Sequence, residues 1–179
     1  MVRYKMIKRE FYNRVTNSER DLIYEFLEIL KREEIPYCVI GGMGVNAYCE
    51  PIITLDFDCV VVMERVEKLK EELKREGFRV KSHPHTWEIT HKASDVRIQL
   101  QRDGRYQGFI RKAELRKILG YTMKVAQKED ILRGKIWAYN DPNRDQLKRD
   151  KDLLDIKRLV RRYPELEELL TDEIRERLK

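Results

Sequence analysis

The segment from Tyr37 to Met63 constrains this chain more than any other. Tyr37 to Ile40 is a short apolar run, Gly41-Gly42 follow it, and Val45, Ala47 and Tyr48 continue at helical spacing. Thr54-Leu55-Asp56-Phe57-Asp58-Cys59 then runs into Val60-Val61-Val62-Met63, a β-branched stretch that predicts a central strand over 55–63. Side chains of a strand alternate between its faces, so Asp56 and Asp58 share one face while Leu55, Phe57 and Cys59 turn to the other. Adjacent carboxylates repel, and a strand gains nothing from that repulsion unless a cation binds there. Mg²⁺, or Mn²⁺ in its place, suits such a pair: a hard cation takes one or two carboxylates and completes its shell with water and substrate phosphate. Paired glycines where a strand enters a helix expose backbone N–H groups and leave no Cβ in the way of a phosphate. Thr54 stands where it can position a substrate or simply precede a strand.

Charge is arranged around this segment. The chain carries 38 basic and 32 acidic residues, a net charge of +6. Residues 36–63 contain no Lys or Arg and only Glu50, Asp56 and Asp58, whereas residues 111–162 hold 16 basic residues against 8 acidic ones. An acidic pocket beside a basic helical segment suits a metal site facing a polyphosphate or nucleic acid. Most of the helical Lys and Glu residues read as ordinary solvated surface.

With 179 residues the chain has the length of one domain with a helical appendage. Helices are predicted over 22–34 behind a Ser18-Glu19-Arg20-Asp21 cap, and over 64–76, 128–139, 143–162 and 164–178. Strands are predicted over 37–40, 55–63, 78–81, 86–91 and 96–101. From Arg111 onward the pattern is helical apart from an extended piece at 123–126, which places a boundary near residue 110. The expected organisation is an α/β (α+β) core over 1–110, a mixed sheet flanked by helices, and a helical portion over 111–179. No apolar run approaches the ~20 residues that span a bilayer, and the first 30 residues lack a signal-peptide core. Cys38, Cys49 and Cys59 are odd in number and lack metal-ligand spacing, which suits reduced thiols in a cytoplasmic protein. His83, His85 and His91 have no paired cysteines to complete a metal set, and Trp87 and Trp137 read as core anchors. Nothing in the sequence sets an oligomeric state.

The order strand, Gly41-Gly42, short helix, Thr54-Leu55-Asp56-Phe57-Asp58 resembles the nucleotidyltransferase fold, in particular its AbiEii-like and minimal members. The helical half adds Val125-Ala126, Glu129-Asp130-Ile131, Lys135, Arg144 and Lys151-Asp152-Leu153-Leu154-Asp155-Ile156, so the likeness spans about residues 20–162. The resemblance implies transfer of a nucleoside monophosphate from an NTP to a hydroxyl of a protein, RNA or small molecule, in some members within a toxin–antitoxin setting. It implies metal at Asp56 and Asp58, triphosphate on Gly41 and Gly42, and nucleotide contacts from Thr54, Lys135 and Lys151. The chain departs from the pattern twice: Ile52 stands where an Arg is common, and Gln99, in Arg97-Ile98-Gln99-Leu100, stands where a third carboxylate is expected. An amide can neither act as a carboxylate base nor bind Mg²⁺ as well. Glu88 or Asp95 could take its place. A relative weakened in catalysis and acting as a nucleotide-, RNA- or protein-binding module is the alternative reading.

Overall fold

The structure is a computed structural model that describes residues 8–179. Helix α1 (Lys8–Val15) buries Tyr12, and α2 (Leu22–Arg32) follows it. The cap of α2 is Asp21, whose side chain accepts from the Tyr24 N–H at 3.1 Å, so Ser18 to Arg20 lie outside the helix. Leu22, Ile23, Phe26, Leu27, Ile29 and Leu30 form its buried stripe. Pro36 then leads into β1 (Tyr37–Val39), which turns at Gly41 into the single helical turn α3 (Gly41–Val45).

Seven strands form one mixed sheet in the order β3-β4-β5-β2-β1-β7-β6. Strand β2 (Asp56–Val61) lies near its centre, antiparallel to β1 and parallel to β5 (Ser94–Gln101). Helix α4 (Val66–Arg75) leads to β3 (Arg79–Ser82), and β4 (Thr86–His91) joins β3 to β5 in an antiparallel meander. Phe57 meets Phe26 of α2 edge-to-face at 6.0 Å, which commits one face of β2 to the core. Shifting the register by one residue would bury two carboxylates and expose Phe57 and Cys59, so the pattern 56–61 specifies its own orientation.

The second half differs from the sequence expectation in two respects. After α5 (Gln107–Arg111) the chain forms β6 (Glu114–Ile118) and β7 (Tyr121–Val125), and β7 pairs in parallel with β1 at Val39. The boundary expected near residue 110 therefore does not separate sheet from helices; the chain becomes wholly helical only at α6. Residues 111–119 carry a helical apolar spacing, but Leu119 (φ 50°) and Gly120 (φ 88°) make a two-residue turn with both φ positive, the hairpin geometry that matches strand twist. The alternation Tyr121, Met123, Val125, all buried, completes the hairpin. Helix α6 (Lys128–Tyr139) and α7 (Gln146–Arg162) then pack on each other. The helix expected over 164–178 is divided: a 3₁₀ stretch at Pro164–Leu169 gives way to α8 (Asp172–Leu178), because Leu170 is extended and Thr171 caps the new start. Among the described residues no helix is long and apolar enough to cross a membrane.

Candidate active site

Strand β2 delivers both carboxylates to one face of the sheet, as its alternation requires. Asp58 is half-buried and sits against Gly41. Gly41 has φ 62°, and a Cβ built there would come 2.1 Å from Asp58 Oδ2, so only glycine lets the carboxylate occupy this place. The Ile40 N–H donates to the Asp58 carbonyl at 2.9 Å and ties the turn to the strand. Thr54 is buried and spends its hydroxyl on the strand's start: Oγ1 accepts from the Asp56 N–H at 3.2 Å, and its carbonyl accepts from the Tyr12 hydroxyl at 2.8 Å. Its near contact with Gly42 leaves it at the site's edge, where it braces Asp56.

The neighbouring strands place a row beside the two carboxylates. Asp58 lies opposite Gln99 on β5, and Gln99 lies opposite Glu88 on β4. The Gln99 amide donates to Glu88 Oε2 at 3.3 Å. Gln99 thus faces the Asp58 side, while Glu88 stands two strand spacings away, about 9–10 Å along the sheet. Asp95, the other candidate for a third carboxylate, accepts from Asn17 at 2.7 Å near the start of β5 and lies away from this row. Arg97, which the sequence reading quoted but gave no role, pairs through Nε with Asp56 Oδ1 at 2.9 Å. No local pattern announces this pair; it follows from the parallel pairing of β5 with β2, which puts Arg97 opposite Asp56.

Helices α6 and α7 close the other side. A cavity of about 110 Å³ opens beside Asp58 and Gly41 and is walled by Tyr106, Phe109, Gly134 and Arg144. Lys135 is buried at its back, with Nζ 3.0 Å from Asp152 Oδ1 and 2.7 Å from Asp155 Oδ2. Burial works against the lysine's charge, but the two carboxylates outweigh it and hold its pKa above the usual value. The polar face read from Lys148, Lys151, Asp152 and Asp155 is split: both aspartates turn inward to α6, and Lys148 and Lys151 stay exposed. The Asp58 carboxyl is pushed up to about 6, chiefly by burial and further by Asp56, while Lys135, Arg144 and Lys151 pull it down.

The donor set fits a divalent cation. Two carboxylates share a face, and one has been desolvated against a like charge, an arrangement that a cation relieves. Among the described residues no group of three or more His, Cys, Asp or Glu side chains gathers as a metal site.

No family model and no curated protein sequence matches the chain. Solved structures do. The antibiotic-resistance factor ANT(2'')-Ia, in complex with adenylyl-2''-tobramycin, superposes with a TM-score of 0.64 at 18% identity, over 88% of this chain and 97% of its own. The lincosamide antibiotic adenylyltransferase LnuA, bound to lincomycin, gives 0.56 at 13% identity over 80% and 99%. A nucleotidyltransferase-like protein from Paracoccidioides brasiliensis gives 0.54 at 20% identity over 78% and 74%. The chain has the nucleotidyltransferase fold. Sequence identities this low establish the architecture alone and do not assign the chain to the AbiEii-like branch.

Proposed function

We propose that the protein is a Mg²⁺- or Mn²⁺-dependent nucleotidyltransferase that moves a nucleoside monophosphate from an NTP to a hydroxyl group. The observation that carries this reading is the pair Asp56 and Asp58 on one strand face, with Asp58 seated against a Cβ-less Gly41. In the reaction the acceptor oxygen bonds to the α-phosphorus, the bond to pyrophosphate breaks, and the hydroxyl proton leaves to a base or to water. Asp56 and Asp58 would hold the divalent metal, which would supply charge neutralisation and alignment for the transfer. Gly41 and Gly42 admit the triphosphate to their backbone N–H groups, Arg97 holds Asp56 in place, and Lys151 lends an exposed ammonium. Gln99 cannot take the proton; Glu88, held by the Gln99 amide, is the carboxylate next along the row.

The acceptor is a protein, an RNA or a small molecule, and a toxin–antitoxin setting is part of the proposal. Gln99 also favours a second reading, in which the fold binds nucleotide, RNA or protein with little turnover. Incubation with each α-labelled NTP, Mg²⁺ or Mn²⁺, and candidate acceptors tests both. Label transfer lost in Asp56→Asn and Asp58→Asn supports the enzyme; nucleotide binding without transfer supports the binding module. Neither binding nor transfer with any NTP rejects both.

A further inference from the structure

Resting on the nucleotidyltransferase reading, we propose that Arg144 anchors the β- and γ-phosphates and the departing pyrophosphate. Asp152 positions it, and Lys135 is a brace rather than a phosphate ligand. Five side chains of alternating charge run behind the site: Arg144, Asp152, Lys135, Asp155 and Arg158. Arg144 Nε donates to Asp152 Oδ2 at 2.5 Å, Lys135 sits between Asp152 and Asp155, and Arg158 Nη1 pairs with Asp155 Oδ1 at 2.7 Å. Three cations against two anions leave one positive charge in surplus. At the far end Arg158 Nη2 is spent on the Glu50 carbonyl at 2.5 Å and Asn46 Oδ1 at 3.2 Å. Only at Arg144 does the surplus face open space.

Lys135 is not available for a phosphate. Its side chain is 9% exposed and those of Asp152 and Asp155 are 2% and 4% exposed. Drawing Nζ toward a ligand would take one of two cations from each of two buried carboxylates and leave each with a single arginine, which is unfavourable. Arg144 differs on each point. Its side chain is 33% exposed, it lines the cavity that Asp58 and Gly41 also line, and one nitrogen suffices to hold it. Among the described residues neither of its Nη atoms has a hydrogen-bond partner, so the planar end of the guanidinium is left for a bidentate contact with phosphate oxygens. The backbone beneath it is set by a turn in which the Arg144 N–H donates to the Asp141 carbonyl at 3.1 Å and the Asn143 N–H to Asp141 Oδ1 at 2.9 Å. Arg144 and Asp58 line the same cavity, so an anion held by Arg144 lies beside the metal pair.

The test titrates inorganic tripolyphosphate with Mg²⁺, and separately an NTP and the matching nucleoside monophosphate, into the full chain by calorimetry. Arg144→Gln is expected to weaken tripolyphosphate and NTP by on the order of 10- to 100-fold, the range for a hydrogen bond to a charged group, and to leave the monophosphate unchanged. Arg144→Lys should recover part of the loss, and free guanidinium added to Arg144→Ala should restore tripolyphosphate binding without changing Tm, a split that a purely structural role would not give. Unchanged tripolyphosphate affinity in Arg144→Gln overturns the proposal, as does a Lys135→Met variant that loses tripolyphosphate binding while melting like wild type. Wild type that transfers nucleotide while Arg144→Gln behaves identically removes this inference alone; wild type that binds no NTP removes it together with the reading beneath it.

Discussion

Replacing Gly41 with alanine puts the geometry of the site to its most direct test. The substitution adds one methyl group where a Cβ would stand 2.1 Å from Asp58 Oδ2 and 2.6 Å from its Cγ. Nonbonded heavy atoms settle near 3.5 Å, so the carboxylate must retreat by more than about 1 Å. The left-handed backbone at φ 62° adds a cost of about 1–2 kcal/mol for any residue with a Cβ. For a chain of this length that cost lowers Tm by roughly 2–8 °C. The chemical cost is larger, because a misplacement of about 1 Å in a catalytic group costs on the order of 100-fold in rate. Gly41→Ala is therefore expected to melt a few degrees lower, to stay folded at 25 °C, and to lose nearly all metal-dependent nucleotide transfer. Differential scanning calorimetry and the labelled-NTP assay measure the two effects side by side. Gly108→Ala on α5 is the control, since nothing lies within 4 Å of its Cβ position, and it should leave transfer intact. Wild-type metal and nucleotide affinity in Gly41→Ala would refute the argument that Asp58 works from this position.

The Asp58 carboxyl, pushed up to about 6, makes the apoprotein's stability fall from this group as pH rises through 6 and makes protons compete with metal below it. Mg²⁺ should therefore raise Tm clearly at pH 7.5 and bind roughly tenfold more weakly at pH 5; a Mg²⁺ response independent of pH would contradict this. Gln99→Asp is expected to raise any transfer rate, within the 10²–10⁴-fold range typical of general-base assistance. If Glu88 serves instead, Glu88→Gln lowers the rate and Gln99→Asp does little, and a steady-state comparison of the two variants separates the cases. Lys135→Met takes one cation from Asp152 and one from Asp155, each of which keeps an arginine, and should cost about 1–3 kcal/mol of stability, read from urea unfolding. A loss below about 1 kcal/mol would mean that water reaches the pair.

Much of the site was legible because it lies on two short local patterns. Asp56 and Asp58 could be placed on one face from spacing, and Gly41 could be singled out as a position for glycine. The β6–β7 hairpin was not legible, because Leu115, Ile118 and Leu119 fit a helical stripe as well as a strand. The choice between them depends on β7 pairing with β1, more than 80 residues away in sequence. The pairing of Lys135 with Asp152 and Asp155 was not legible for a similar reason. Asp152 and Asp155 fall in register with Ile156 and Leu159 on the buried stripe of α7, a spacing that announces buried carboxylates in need of a cation. Lys135, the cation between them, is on another helix.

By itself the sequence determined the orientation of β2, the carboxylate pair on its open face, the glycine turn that precedes it, and the absence of a third acidic residue at position 99. These follow from side-chain alternation and from backbone sterics, which act over a few residues. Tertiary structure alone decided that Arg97 meets Asp56, that Gln99 reaches Glu88, that Thr54 spends its hydroxyl on the backbone, and that Lys135 is consumed by two aspartates while Arg144 keeps its outer nitrogens open. Each of these depends on which distant strand or helix comes alongside. Charge pairing across 40 or more residues, as between Asp56 and Arg97, is set by packing rather than by any local preference of the chain.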